Sequence, residues 1–479
     1  MDGTPRAPRQ RCAVAAAARQ DDERHGWTSR FLRYPPHRQR WFWDKSSVPW
    51  LQDKRVADDV GDLWRVHDDL YDLSAFAARH PGGRFWIDVT RGQDITELFE
   101  ASHCLMTGST ERLLAQHHVR AAHQPRNAPY TFLEDGFYRT LKRRAAPVLR
   151  RLGTGPGLAT RVIADTCVGA FLAASAASVL LRSPLLALAA GGALMLAIGT
   201  GHNFLHQRDN WRMFYLDLSF LSSAEWRVSH ALSHHMFPNT LYDLEVTQLE
   251  PLVLFFTHAK SRLRRGLGHL VLYHIPILLT FFVEGLKRTL RWLRGEQRPR
   301  PENILPLLHL LLLTMLASLP AQPAGGGWLA AAARALPLWA LTHASASYLF
   351  LTVGFAAAHH HPSIFHDGDV PLASLDWGLQ QLDAVGDRKA VRGSLPLVLT
   401  LFGDHGLHHM FPTVDHAKLA SLYGVFEEVC AEFGVRYRYF SLREMFGGQY
   451  QQMVRSEPRC SDLMPAAGAG GPEVINRGL

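Results

Sequence analysis

The segment His230-Ala-Leu-Ser-His234-His235 is followed later in the chain by His405-Gly-Leu-His408-His409 and preceded by His202-Asn-Phe-Leu-His206. Spacings of three and four residues place imidazole side chains on one face of a helix. Imidazole is a ligand for iron, zinc, copper and nickel. Eight histidines are too many for one ion that must leave room for a substrate, but they suit two ions. We therefore predict a dinuclear metal site with these ligands: His202, His206, His230, His234, His235, His405, His408 and His409.

Five long apolar runs flank the histidine clusters and are candidate membrane spans. The first two, Ala164 to Leu181 and Leu185 to Thr200, are separated only by Arg182-Ser-Pro184. Each is close to the ~20 residues that a helix needs to cross a bilayer, so together they predict a membrane hairpin. The other three candidates are Leu267 to Val283, Ile304 to Leu319 and Leu336 to Ala358.

Histidine clusters that share one metal site must lie on the same side of the membrane. An even number of crossings must then separate His235 from His405, so one of the last three apolar runs does not cross. We expect this run to be Leu267 to Val283, lying at the membrane interface. It holds His269 and His274 and sits between two basic clusters.

A further pair of histidines precedes the apolar runs. His80-Pro-Gly-Gly83 is a turn sequence, and His103 ends the run Gly92-Gln-Asp-Ile-Thr-Glu-Leu-Phe-Glu-Ala-Ser-His103. Two neutral imidazoles on opposite walls of an apolar crevice can bind one haem iron axially, which leaves no open position for O2. His80 and His103 therefore predict a haem that passes electrons. Candidates for the crevice lining are Phe85, Ile87, Ile95, Leu98 and Phe99.

Metal ions beside such an electron donor should be able to change oxidation state. Zinc cannot use the electrons, whereas iron can. We therefore predict haem b in the N-terminal part of the chain and two non-haem iron ions in the histidine-rich part.

Charge distribution bears on the partners of the chain. Its formal net charge is +8, and basic residues cluster beside the apolar runs, as in Lys260 to Arg265 and Lys287 to Arg300. Such clusters are typical of the cytoplasmic side of membrane spans, so we expect a membrane and no nucleic acid as the partner. Acidic residues near the haem ligands could steer a basic reductase or form an ordinary solvated surface, and both interpretations fit equally. They are Asp68, Asp69, Asp72, Asp94, Glu97 and Glu100.

These motifs resemble two known families. The turn at His80 and the run ending at His103 are similar to cytochrome b5 domains. The three histidine clusters around membrane hairpins resemble the membrane fatty-acid desaturase family, and the whole chain resembles cytochrome b5 fusion desaturases. The stretches Asn239 to Glu245 and Asp376 to Leu382 also match.

The resemblance implies an O2-dependent desaturase of a long-chain acyl-CoA or acyl lipid. Electrons would come from NADH-cytochrome b5 reductase through the haem. It also implies an integral membrane protein of the endoplasmic reticulum, with the haem domain and the histidine clusters facing the cytosol. The family has one more ligand just after its last membrane helix, where His359 stands; His360, His361 and His366 are the alternatives.

Two features depart from the front-end desaturases of this family. His405 stands where those enzymes usually have Gln, and three residues instead of two separate His230 from His234. Both differences count against front-end regiochemistry, and neither removes a ligand.

The predicted fold is multi-domain: a small α+β cytochrome b5-like haem domain followed by an all-α membrane desaturase-like bundle of four helices with a cytosolic helical cap. The predicted segments are a disordered leader (1–40), an unassigned connecting segment (41–63), the haem domain (64–125), a linker (126–158), the membrane desaturase-like domain (159–452) and a disordered tail (453–479).

Two other functions fit the same residues. An acyl or lipid hydroxylase could use the same ligands, because the outcome depends on how a C–H bond is placed. A non-catalytic membrane haem protein would need only the haem, and the intact histidine clusters argue against it. We expect no catalytic side chains beyond the metal ligands. Asn203, Trp226 and Asn239 are candidates for contacts to the ligands or to a substrate head group.

Overall fold

The structure is a computed structural model that describes residues 20–22, 27–33, 35, 39–105, 108–267, 273–319, 327–356 and 358–464. Its strands are β1 (Gln20–Asp22), β2 (Trp27–Ser29), β3 (Trp64–Val66), β4 (Asp69–Tyr71), β5 (His118–Ala121), β6 (Asp387–Arg388) and β7 (Tyr439–Phe440). Its helices are α1 (Ser47–Asp58), α2 (Arg84–Val89), α3 (Thr96–Ser102), α4 (Gly108–Ala115), α5 (Phe137–Leu152), α6 (Leu158–Leu180), α7 (Pro184–Leu205), α8 (Ser223–Trp226), α9 (Leu244–Thr247), α10 (Arg262–Leu267), α11 (His274–Leu293), α12 (Leu305–Ala317), α13 (Gly327–Ala356), α14 (Trp377–Asp383), α15 (Leu395–Thr400), α16 (His405–Met410), α17 (His416–Leu419), α18 (Tyr423–Glu432) and α19 (Leu442–Val454).

The N-terminal domain combines a small sheet with short helices, as predicted. Strands β3, β4 and β5 form a three-stranded antiparallel sheet in that order. The sheet and helices α2 and α3 enclose a core that includes Trp64, Val66, Leu73, Ile87 and Ile95. Burial of such apolar side chains is the main force that holds a domain of this size together.

Four apolar helices form the bundle predicted for the membrane domain. Helix α7 packs against α6 and α13, and α12 packs against the same two helices. Ser183 precedes α7 and accepts a hydrogen bond from the N–H of Leu186, while Pro184 occupies the first turn. Gly191 allows α7 to approach α13, since a Cβ there would lie 2.7 Å from the carbonyl O of Thr342. Among the described residues, α6 and α7 are long and apolar enough to cross a membrane.

The predicted interfacial run Leu267 to Val283 is described only in part, because residues 268–272 lie outside the described residues. Its second half belongs to α11, which continues past the run into a charged stretch. There Arg288 is buried and pairs with Glu225 at 3.0 Å. This ion pair lies beyond the predicted run, so the placement of the run at the membrane interface stays a prediction.

The segments predicted to be disordered pack against the protein where the structure describes them. In the leader (1–40), Phe31 is buried and the Ser29 hydroxyl donates to Asp367 at 2.9 Å. In the tail (453–479), Leu463 is fully buried and Arg455 pairs with Asp369. The prediction of disorder is therefore wrong for residues 29–33 and 453–464, because buried side chains such as Phe31 and Leu463 join the core; residues 1–19 and 465–479 lie outside the described residues.

The linker (126–158) joins the haem domain to the helical domain through buried ion pairs. Arg126 pairs with Asp94 at 2.7 Å and also with Glu97. Lys142 of α5 pairs with Glu100 at 3.0 Å. These three carboxylates are buried, so they cannot belong to an acidic rim that steers a reductase. They hold the two domains together instead.

Candidate haem and metal sites

The haem crevice has His80 on one wall and His103 on the other. His80 follows the short 3-10 turn Ala77–Arg79, and His103 directly follows α3. The centroids of the two imidazole rings are 6.4 Å apart. Two imidazoles bound to opposite faces of one haem iron have centroids about 6 Å apart, so this spacing fits axial ligation.

Hydrogen bonds leave one nitrogen of each ring free to bind iron. Nδ1 of His80 lies 3.0 Å from the carbonyl O of Gly83, and Nδ1 of His103 lies 2.8 Å from that of Phe99. Donation from Nδ1 fixes the tautomer and leaves the lone pair on Nε2. Burial lowers the pKa of His103 to about 4, which keeps its ring neutral at neutral pH.

A cavity of about 1060 Å³ extends from the two histidines. Of the five predicted lining residues, Phe85 does not line it; its ring lies 5.2 Å from the guanidinium of Arg227 instead. The opposite wall comes from the histidine-rich domain and includes His206, Ala231 and Met236. The haem crevice therefore opens directly onto the predicted metal site. The predicted residues that do line it are Ile87, Ile95, Leu98 and Phe99.

The two domains contact each other beside the predicted haem ligand His80. The guanidinium of Arg227 lies 4.9 Å from the ring centroid of Trp86, and it pairs with Asp209 at 2.6 Å. Asp209 in turn covers the turn after His80, where a Cβ at Gly83 would lie 2.8 Å from a carboxylate oxygen. These contacts fix the haem crevice against the helical domain.

Five of the predicted ligands form the first cluster of ring nitrogens. Nε2 of His202 lies 2.8 Å from Nε2 of His230, 3.1 Å from that of His206 and 3.2 Å from that of His408. Nε2 of His235 lies 3.1 Å from that of His230. One nitrogen of each ring lies within 4.8 Å of one nitrogen of every other.

The other four predicted ligands form the second cluster. Nitrogens of His234, His359 and His409 lie within 4.8 Å of one another. Nε2 of His359 is 3.0 Å from Nε2 of His234 and 2.6 Å from that of His405. The alternatives to His359 are engaged elsewhere: His360 stacks on Phe255, for example, and its Nδ1 lies 3.1 Å from Nε2 of His366.

The adjacent histidine pairs connect the two clusters. His235 and His408 belong to the first cluster, whereas His234 and His409 belong to the second. The rings of His235 and His409 stack with centroids 4.2 Å apart. Because each pair gives one ring to each cluster, two ions bound there would be neighbours.

The second histidine motif lies on a π-helix, Arg227–His234. The N–H of His235 donates to the carbonyl O of His230 at 2.8 Å, five residues earlier. The wider π turn stacks the rings of His230 and His234, with centroids 5.3 Å apart. Front-end desaturases usually have two residues between these histidines, and here there are three. The π-helix accommodates the additional residue, so both rings still reach the clusters.

The donor set fits metal ions. Two imidazoles bound side by side to one ion have nitrogens about 3 Å apart, because a metal–nitrogen bond is about 2.1 Å long. Nε2 of His409 is buried and has no hydrogen-bond partner among the described residues, while its Nδ1 lies 2.9 Å from Oε1 of Gln381. A buried ring nitrogen without a partner is costly, and a metal ion would satisfy it.

Neighbouring groups orient the ligands and set their protonation. Burial and the surrounding histidines lower the pKa of His408 and His409, so their lone pairs are available at neutral pH. Burial alone would lower the pKa of His234 as well, but the negative charges of Asp243 and Glu245 outweigh burial and raise the pKa of this ring. Nδ1 of His234 lies 2.8 Å from Oδ2 of Asp243.

The candidates for ligand contacts have defined partners. The Trp226 ring stacks on His230 with centroids 4.4 Å apart. Nδ2 of Asn239 donates to the carbonyl O of His359 at 2.9 Å. Oδ1 of Asn203 lies 2.8 Å from Nδ1 of His416.

Two residues beside the clusters, the buried His416 and the half-buried Glu245, were not predicted. The ring of His416 lies 4.3 Å from that of His408, and its Nε2 has no hydrogen-bond partner among the described residues. Glu245 lies 3.1 Å from Nδ1 of His230, and burial raises its pKa to about 7. Glu245 ends the stretch Asn239 to Glu245 that resembles the desaturase family, whereas the only sequence signal for His416 is its nearness to the third histidine motif.

A second cavity, of about 100 Å³, lies beside the second cluster. His234, His359 and His405 form part of its wall. The wall also carries the charged residues Glu225, Glu245, Glu284 and Arg288. Its apolar part can hold a C–H bond near a metal ion and keep water away. The apolar residues of the wall include Leu221, Trp226, Phe350, Leu351 and Phe402.

Comparisons with known proteins assign both parts of the chain. The family model "Fatty acid desaturase" matches residues 177–441, and "Cytochrome b5-like Heme/Steroid binding domain" matches residues 51–123. The second match begins within the segment 41–63 that the sequence left unassigned, and it includes most of α1. No solved structure matches the chain.

The chain is similar to curated proteins over most of its length. "Cytochrome b5-related protein" of Drosophila melanogaster is 38% identical over 423 residues, covering 88% of this chain and 93% of that protein. "Acyl-lipid (8-3)-desaturase B" of Dictyostelium discoideum is 23% identical over 436 residues, covering 79% and 87%. "Acyl-lipid (8-3)-desaturase" of Physcomitrium patens is 24% identical over 428 residues, covering 81% and 86%. The chain therefore belongs to the fatty acid desaturase family and carries a cytochrome b5-like domain at its N-terminal side.

Proposed function

We propose that this protein is a membrane di-iron oxidoreductase that desaturates long-chain fatty acyl substrates with O2. The single observation that carries this proposal is the division of nine buried histidines into two adjacent clusters of ring nitrogens. Iron bound in both clusters would supply O2 activation, using electrons delivered by the haem. The histidines supply neutral ligands, and the fold supplies their positions.

The cavity beside the second cluster supports an acyl substrate. Part of its wall joins aliphatic and aromatic side chains to predicted ligands of that cluster. At about 100 Å³ the cavity has room for a short stretch of an acyl chain, whose methylene groups would lie near the metal. Trp226 links the wall to the ligands, since its ring stacks on His230 and its Nε1 donates to Glu245 at 2.6 Å. The substrate we propose is a long-chain acyl-CoA or acyl lipid.

The haem crevice supports electron delivery within the chain. Its far wall includes His206, a member of the first cluster, so a bound haem would lie next to that cluster. We propose that NADH-cytochrome b5 reductase reduces the haem. We also propose placement in the endoplasmic reticulum membrane, with the haem domain and the clusters on the cytosolic side, where the basic stretches would meet anionic headgroups.

Expression in a desaturase-deficient yeast with lipid profiling tests the proposal. We expect the wild type to add acyl chains with one more double bond, and His408→Ala to abolish them. His123→Ala, at an exposed histidine outside both clusters, is the matched control and should leave the product unchanged. Lipid profiles that are identical for the wild type and His408→Ala across a broad acyl panel would contradict the proposal.

Product mass separates desaturation from hydroxylation. Loss of two hydrogen atoms from the acyl chain supports a desaturase, whereas gain of one oxygen atom shows a hydroxylase on the same scaffold. Metal analysis of the purified protein separates both from a non-catalytic haem protein. Haem without any non-haem iron, despite iron supplementation, would exclude the oxidoreductase.

A further inference from the structure

The cavity beside His80 and His103 has two walls of different chemistry. The haem-domain wall is largely apolar, as a porphyrin ring requires. The wall from the helical domain carries three arginines, Arg161, Arg208 and Arg212. No described residue that lines the cavity is Asp or Glu. A cationic wall without any carboxylate is suited to an anionic ligand group.

One of the three arginines is already neutralised. Nε and Nη2 of Arg212 each donate to Asp165 at 2.8 Å, and this carboxylate also accepts from the Tyr215 hydroxyl at 2.6 Å. Arg208 and Arg161 form no ion pair with a described residue; Nε of Arg161 only donates to the carbonyl O of Gly157 at 3.3 Å. Two guanidinium groups therefore remain available at the cavity.

Haem b carries two propionate carboxylates on one edge of an otherwise apolar ring. Its apolar part matches the wall that holds Ile87, Leu98 and Phe99, and its two carboxylates match the two available guanidinium groups. We propose that Arg161 and Arg208 of the desaturase domain bind the propionates of the haem that His80 and His103 of the cytochrome b5-like domain ligate. The haem is then shared between the domains: one domain binds the iron and the other binds the acidic edge.

Contacts between the two domains hold the arginine wall beside the haem ligands, as a shared haem requires. Arg227 lies against Trp86, and Thr413 donates to the carbonyl O of Ser102 at 3.2 Å, directly before the ligand His103. Trp86, Ser102 and Thr413 line the same cavity, so the arginine wall cannot move away without breaking these contacts. The inference rests on haem binding and does not depend on the oxidation proposed for the metal clusters.

Haem loss from the purified full-length protein tests the inference. The proteins are the wild type, Arg161→Gln, Arg208→Gln, the double variant and Arg150→Gln, which changes an exposed arginine of α5 that does not line the cavity. Transfer of haem to excess apomyoglobin gives the dissociation rate. We expect the double variant to lose haem about tenfold faster than the wild type, each single variant to lie between them, and Arg150→Gln to match the wild type.

A second experiment uses haem dimethyl ester, in which both propionate carboxylates are esterified and carry no negative charge. Reconstituted with the ester, the wild type should lose it as fast as the double variant does, since the charges that the arginines bind are gone. The absorbance spectrum reports whether bis-histidine ligation is intact in each protein. Equal loss of ordinary haem from the wild type and the double variant, with intact ligation, would overturn the inference. A wild type that binds haem but yields no oxidised lipid would refute the proposed function and leave this inference standing.

Discussion

Oδ2 of Asp243 lies 2.8 Å from Nδ1 of His234 and holds this ligand with its Nε2 toward the second cluster. Because a carboxylate behind a metal-binding histidine typically contributes tenfold to a hundredfold in metal affinity, Asp243→Asn should weaken that cluster. We expect the non-haem iron content to fall after dialysis against a chelator, with the haem content unchanged. Metal analysis by mass spectrometry measures both. Asp88→Asn, which changes an exposed carboxylate paired with Arg84, is the control; equal iron retention in both variants would refute this role of Asp243.

The haem and the metal clusters use separate histidines and should be lost separately. His103→Ala should remove the haem absorbance but keep the non-haem iron, since neither His80 nor His103 belongs to the two clusters of ring nitrogens. His118→Ala, at a partly exposed histidine that contacts Asp69, should retain both. Loss of the iron together with the haem would show that the two sites depend on each other for folding.

Glu100 should contribute an acid-sensitive part of the stability. Burial disfavours its charge, but His67, Lys142 and Arg139 outweigh burial and lower the pKa from its ordinary 4.5 to about 2. The stabilisation is therefore fully present above pH 4.5 and is lost as the pH falls towards 2. Glu100→Gln should lower the free energy of unfolding by about 3 kcal/mol near neutral pH, because it leaves buried cations without a partner. It should also make the free energy of unfolding less dependent on pH below pH 4.5.

Unfolding of the haem domain, followed by haem absorbance at neutral pH and below pH 4.5, measures this effect. The matched control is Glu134→Gln, since Glu134 also pairs with Arg139 but is 75% exposed. We expect little effect from this substitution, because exposed ion pairs contribute about 1 kcal/mol or less. An equal effect of both substitutions would show that burial of Glu100 is not the cause.

Gly354 should control the space available to the substrate. It lines the cavity beside the second cluster, and no described atom outside the neighbouring residues and backbone of its own helix lies within 4 Å of the position that a Cβ would occupy. Gly354→Leu should therefore fold normally, fill part of the cavity and lower the yield of product from long acyl chains. Gly169→Leu makes the same change at an equally open position of α6. Product yields that are equal in the two variants would place the substrate elsewhere.

Local patterns were sufficient to predict much of the architecture. The turn at His80 and the run ending at His103 predicted the haem domain, because these motifs determine local geometry. The runs Ala164 to Leu181 and Leu185 to Thr200 correspond to α6 and α7, since length and hydropathy determine a membrane hairpin. The nine predicted metal ligands lie together in the structure, and their binding of iron stays a prediction.

Features that depend on distant contacts were not predicted. Phe31 and Leu463 are buried by residues far away in the chain, so the local composition of the leader and the tail indicated disorder. The π-helix that carries His230 and His234 has no recognised sequence pattern. His416 approaches His408 only because α16 and α17 fold together, and single residues of this kind carry no signal until the fold is known.

The contact between Arg227 and Trp86 and the pairing of Glu100 with Lys142 hold the haem domain in one place. An electron donor fixed in this way needs no diffusional search for its acceptor. Transfer from haem to metal should then be a first-order event that neither solvent viscosity nor the length of a tether influences. Under the proposed function, collision with the reductase would be the one step in electron delivery that depends on concentration.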